Sequence, residues 1–157
     1  MKVLYCARFA RPDILRATCK LASRVSKWTR ECDRRLHKLM SYLHSTKHVI
    51  YRGYVGDEIE KCHVALFCDA DYAGDKNDSK SVTGVLAAIV GPYTFMPIAF
   101  RSKKQDNVSK STCEAEVVAM CHGLQYEGIP MLDIWDVLDP GHERRAAGGS
   151  GDDPFRP

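Results

Sequence analysis

Between His63 and Cys68 the chain carries an almost unbroken apolar run, which leads straight into Asp69-Ala70-Asp71-Tyr72-Ala73-Gly74-Asp75. A short continuous apolar stretch of this kind predicts a strand buried on both faces, so the fold must supply a layer on each side of it. About forty residues later, Ser111-Thr112-Cys113-Glu114 opens a second apolar stretch with a capping box, in which the serine hydroxyl and the glutamate carboxylate satisfy two orphan amides reciprocally. One carboxylate pair therefore ends a strand and another, Glu114 and Glu116, falls in the first turns of a helix. That arrangement suits holding divalent ions against a phosphodiester.

The neighbouring segments support the same architecture. Ser81–Val90 and Thr94–Arg101 read as a second and a third strand about the turn Gly91-Pro92-Tyr93, and the polar loop Gly74–Ser79 precedes them. Connections this short favour antiparallel neighbours. Pro97 cannot donate to a ladder, which predicts an edge position for the third strand. The first sixty residues are helical in pattern. Arg11-Pro12-Asp13 marks a turn or helix start, and apolar residues recur from Ile14 through Leu15, Cys19, Ala22 and Val25. A further helix is predicted over Glu31–Leu43, with Leu36, Leu39, Met40 and Leu43 on one face and Arg34, Arg35 and Lys38 on the other. Val49-Ile50-Tyr51 and Gly53-Tyr54-Val55 read as short strand pieces.

Glu114 has a capping duty, whereas Glu116 has none. It precedes Val117-Val118-Ala119-Met120-Cys121, a helix start apolar nearly all round and so expected to be buried. A carboxylate there is costly unless paired or bound to metal, which singles out Glu116. Asp71 shares a strand face with Asp69 in ideal geometry and could support the same site. Asp75 and Asp78 suit turns. Lys103, Lys104 and Gln105, just before the helix, could touch a nucleic-acid backbone or belong to a solvated loop.

Composition narrows the classes. The 157 residues, 45% hydrophobic, make one domain's worth of core. Seven cysteines at 6, 19, 32, 62, 68, 113 and 121 form no C-x-x-C pair and read as reduced thiols, which places the chain inside the cell, in cytoplasm or nucleus. Cys62-His63 and Cys121-His122 lack zinc-site spacing. No apolar run is long enough to span a membrane. Residues 1–62 carry 14 Lys and Arg against 6 Asp and Glu, net +8; residues 63–157 carry 9 against 14, net −5. The basic part is suited to a polyanion and the acidic part to cations, although solvated helix faces would give the same numbers.

Several ordered blocks carry a resemblance. Leu4–Ile14 resembles a "YLA..TRPDI" segment, Leu39–Thr46 a "..YL..T" segment, and Asp69–Asp75 a "DADWAGD" segment with tyrosine replacing tryptophan. Lys80–Gly84, Ser102–Gln105 and Ser111–Glu116 match the later motifs in order. Over Leu4–Leu138 the chain is thus similar to Copia/Ty1-type retrotransposon Pol polyproteins, where reverse transcriptase joins ribonuclease H. The resemblance implies an α+β fold. Residues 1–62 would form a helical connection region and residues 63–138 a partial RNase H-like domain of three antiparallel strands and one long helix. The resemblance also implies that Asp69 and Glu116 hold two magnesium or manganese ions on the order of 3.5–4 Å apart, acting on RNA–DNA hybrid.

The family's third and fourth carboxylates find no match. Asp133, Asp136 and Asp139 fall late in the same helix, and Pro140-Gly141 ends it. Residues 139–157, rich in Gly and Ala, are expected to be a disordered tail. These features predict a chain missing the later strands and the upstream polymerase segment. Three readings follow: an active ribonuclease H, a non-catalytic remnant of one, or a nucleic-acid-binding module using the basic first sixty residues. With the later strands missing, the first strand becomes an exposed apolar edge. The chain is then expected to be marginally stable and to self-associate.

Overall fold

A computed structural model describes residues 2–74 and 78–141. Three helices, α1 (Lys2–Phe9), α2 (Leu15–Ala22) and α3 (Arg30–Ser45), precede the strands β1 (His63–Asp71), β2 (Val82–Gly91) and β3 (Thr94–Lys104). Two helices follow, α4 (Thr112–Gly123) and α5 (Ile129–Leu138), joined without a break by a π-helical turn over Leu124–Gly128. The strands lie in chain order as one antiparallel sheet. The α+β expectation is met in strand number, pairing and the long helix after the sheet. The expected tail disorder and the turn role of Asp75 lie outside the described residues.

Local chemistry explains the boundaries. Ser111 Oγ accepts the Glu114 amide at 3.1 Å, as the capping signature requires. The return bond differs: the Glu114 carboxylate accepts from the Lys110 amide at 2.6 Å, one residue before the cap. Pro130 has no N–H to give the helix and crowds the carbonyl four residues back. The π turn absorbs this, with the Ile129 amide reaching the Leu124 carbonyl five residues away. Pro97 does sit on an edge strand. Beside it the pairing slips, Ala87 facing Ala99 and Ala88 facing Pro97, so Ile98 bulges out of the ladder.

Helices pack on both faces of the sheet, but no residue of β1 is fully buried and Phe67 is 50% exposed, which corrects the expectation of a strand buried on both faces. On one, Ala115, Ala119, Gly123 and Gly128 turn a seam of small residues to β1 and β2, and all four are buried. A Cβ on Gly123 would stand 2.5 Å from Cys68 Sγ and 3.4 Å from both Val85 methyls. On the other face Ala7, Ile14, Leu15, Leu21, Cys32 and Leu39 form a cluster that also packs Phe100 of β3. The turn between α1 and α2 is tied to the end of α3 by the buried Arg11. Its guanidinium bonds both Asp13 carboxylate oxygens at 3.0 and 2.8 Å, and the Thr46 carbonyl and hydroxyl at 3.0 and 2.8 Å. Tyr42 donates its hydroxyl to Asp13 at 3.0 Å.

The two sheet edges differ. Along β3, Tyr54 bridges Phe95, the Thr94 hydroxyl accepts the Gly56 and Asp57 amides, and Tyr51 donates to the Pro97 carbonyl. The outer edge of β1 has no backbone partner among the described residues.

Two outcomes test these contacts. Gly123→Ala gains about 1 kcal/mol of helix propensity, but overpacking a closed seam costs about 1–3 kcal/mol. A net loss is expected in urea unfolding, and an unchanged midpoint would show that the seam relaxes freely. Hydrogen bonding to Arg11, followed by the Tyr42 hydroxyl and the guanidinium charge, holds the Asp13 carboxyl below its ordinary range despite partial burial. Its contribution is therefore present above about pH 4, where an unfolded Asp ionises, and is lost as pH falls through the lowered value. Asp13→Asn should be less stable than the parent at neutral pH, and the difference should vanish in strong acid.

Candidate functional site

Cross-strand partners share a face, and the face of each carboxylate follows from the ladder. Cys68 pairs with Val85, and both meet Gly123 of α4. Their neighbours Asp69, opposite Gly84, and Asp71, opposite Val82, therefore point away from α4. There they border a cleft of about 390 Å³ whose far wall is Pro12, Leu15 and Arg16. Arg16 of α2 pairs directly with the Asp71 carboxylate. The Asp71 side chain also lies where a Cβ on Gly74 would be, so the glycine is needed for this close approach. Asp69 is exposed and has no ion pair among the described residues.

Glu116 sits in the first turns of α4, the helix over the opposite face. It is exposed, which corrects the expectation of burial. Only every third or fourth residue of α4 touches the sheet. The remaining apolar residues, among them Val117, Met120 and Leu124, are 53%, 54% and 46% exposed because no further layer covers them. The structure thus brings Asp69 and Asp71 together and leaves Glu116 on another element. Asp133 and Asp136 are exposed on α5.

Hard cations take six or more oxygens, several from carboxylates. One face of β1 offers two carboxylates, one of them already holding Arg16. Among the described residues no three of His, Cys, Asp or Glu lie close enough to share a metal. The residues as arranged do not fit a two-metal clamp. The thiols offer no substitute: all seven cysteines are free, Cys62 is buried, and burial pushes the Cys68 thiol up. Burial, then the charges of Lys103 and Arg101, holds the His122 imidazole below its ordinary value, so it is neutral at pH 7.

Gln105 is an internal strut, which corrects its reading as a nucleic-acid contact. It is buried, its amide donates to the Thr83 hydroxyl at 3.1 Å and to the Ala115 carbonyl at 2.9 Å, and its oxygen accepts from Ser109 at 3.2 Å. No group is left to face a ligand. Lys103 and Lys104 do reach the surface, where they pair with Asp106 at 3.5 Å and Asp78 at 2.7 Å. With Arg16 and Lys20 of α2 they border a hollow of about 220 Å³ that also takes in Ser23 and Ser102. Arg16 and Lys20 were not identified from sequence, since roughly eighty residues separate them from Lys103. Exposed pairs of this kind contribute only about 0–1 kcal/mol, so an incoming phosphate can replace the carboxylates.

Removing the strut tests it. Gln105→Ala is expected to cost about 1–3 kcal/mol by leaving the Ala115 carbonyl and Thr83 hydroxyl unpaired. A stability within error of the parent in chemical denaturation would show that water replaces the amide.

Among the described residues no helix is long and apolar enough to cross a membrane. No family model matches the chain, and no solved structure matches it. Among curated proteins, the retrovirus-related Pol polyprotein from transposon RE1 of Arabidopsis thaliana is 33% identical over 108 residues. That alignment covers 69% of this chain and 7% of the polyprotein. The likeness supports a retrotransposon Pol origin for this chain.

Proposed function

We propose that this Pol-derived chain is a ribonuclease H-like scaffold of Copia/Ty1 type that binds RNA–DNA hybrid or other nucleic acid without cleaving it. The element order supports the scaffold: a three-stranded antiparallel meander, then a capped helix laid across it. Residues 1–62 act as a helical connection of the kind that follows a reverse transcriptase. The observation that carries the non-cleaving part is that Asp69 points to the face of the sheet away from α4, the helix that carries Glu116. Hydrolysis by paired ions needs carboxylates converging on both the attacking and the leaving oxygen. Among the described residues, a magnesium or manganese ion at β1 would meet the carboxylates of Asp69 and Asp71, in competition with Arg16.

Binding rests on the hollow bordered by Arg16, Lys20, Lys103 and Lys104. Four cations around this hollow suit the sugar–phosphate backbone and carry no base code, so the expected recognition is weak and independent of sequence.

A hybrid-cleavage assay with magnesium or manganese should give no metal-dependent product, and fluorescence anisotropy should show binding whose affinity falls steeply with salt. Each neutralised phosphate adds about 0.9 to the logarithmic slope, and the double substitution Lys103→Ala, Lys104→Ala should flatten it. Cleavage abolished by Asp69→Asn and by Glu116→Gln would overturn the non-catalytic reading. Affinity indifferent to salt would overturn the binding surface.

A further inference from the structure

A second hollow, about 370 Å³, lies between α2 and α3. Its floor is Ile14, Ala17 and Leu21 on one side and Leu39 on the other, and the surface it presents is mainly apolar. Both lips are cationic: Lys20 and Arg24 on one, Arg35 and Lys38 on the other. The carboxylate beside them, Asp13, is already held by Arg11 and Tyr42. Arg35 bonds Glu31 one turn back at 3.0 Å, whereas Lys20, Arg24 and Lys38 have no ion pair among the described residues. A nucleic-acid duplex matches the lips but has no apolar side to place on the floor. Single strands need several aromatic platforms, and the one aromatic residue here, Tyr42, already carries the Arg11 guanidinium over its ring at 5.7 Å.

The complementary shape occurs in the same chain. Along α5, Ile129, Leu132 and Val137 are 56%, 44% and 79% exposed. Asp133 and Asp136 recur with Ile129 and Val137 at helical spacing, so these four share the face turned away from the buried Met131 and Trp135, and Leu132 lies on its flank. The ten residues of α5 include no Lys, Arg or His, and neither aspartate has an ion pair among the described residues. A helix face that interleaves aspartates with exposed apolar residues offers a groove with an apolar floor and cationic lips both the charge and the apolar contact it lacks.

We propose that two copies of this chain associate by seating the outward face of α5 from one copy in the α2–α3 groove of the other. Asp133 and Asp136 then stand against Arg24 and Lys38, while Ile129 and Val137 cover Ala17 and Leu21. The charges steer and orient the contact, and the apolar floor holds it.

Sedimentation velocity on the full chain tests this with four exposed positions. The parent should associate, and less so as salt is raised. Arg24→Glu with Lys38→Glu, and separately Asp133→Lys with Asp136→Lys, should each sediment as monomer. Mixing the two double variants should restore association, because the reversed groove of one then faces the reversed helix of the other. Ala17→Trp, which fills the groove without changing charge, should also give monomer, and circular dichroism on each variant checks that it folds. A monomeric parent overturns the proposal. So do charge variants that associate like the parent, which would assign self-contact to the β1 edge instead, and a mixture that stays monomeric. If the Arg24 and Lys38 substitutions remove oligonucleotide binding and leave sedimentation unchanged, the groove belongs to nucleic acid and the proposal fails.

Discussion

The structure depends on how closely the helix after the sheet can approach it. Ala115, Ala119, Gly123 and Gly128 remove side-chain bulk along one line of the helix, and Ala87, on the same face of β2 as Val85, does the same on the sheet. Dispersion falls steeply with separation, so a seam this close gains contact that larger side chains, held further off, would not. It also leaves no room to rotate. Turning the helix to bring Glu116 toward Asp69 would drive a larger residue into Cys68 and Val85. The seam therefore sets the fold and the position of the carboxylate together.

At each end of the seam a polar group fixes the geometry. Gln105 ties the end of β3 to β2 and to the first turn of α4, so the helix cannot slide along its axis without breaking two buried bonds. Across the sheet, Arg11 holds the α1–α2 turn against the end of α3, which keeps Arg16 within reach of Asp71. Two long-range polar contacts thus decide which charges border the cleft at β1.

Much of this was legible in the residues. The apolar run ending in Asp69, the turn at Gly91-Pro92-Tyr93 and the Ser111 cap place the strands and the helix to within a few residues, because each rests on local chemistry. Pro97 identified its edge for the same reason. The face toward which Asp69 points was not legible, since that depends on which side of the sheet the helix crosses. Glu116 was misread because an all-round apolar helix ordinarily signals burial, and here one side of it meets solvent. Gln105 and Lys103 sit two residues apart yet serve opposite ends, one inward and one outward, which only the ladder reveals. Arg16 and Lys20 join the surface through tertiary contact that no nearby residue announces.

The unequal margins of the sheet have a consequence for growth. The stretch from Tyr51 to Asp57, together with Pro97 and the bulge at Ile98, closes the β3 side to any incoming strand. Among the described residues only the outer edge of β1 is left open to one. Two sheets meeting there would expose nothing but closed margins, so stacking by strand addition halts at a pair and cannot run on into a fibril. One blocked side is enough to make such assembly finite.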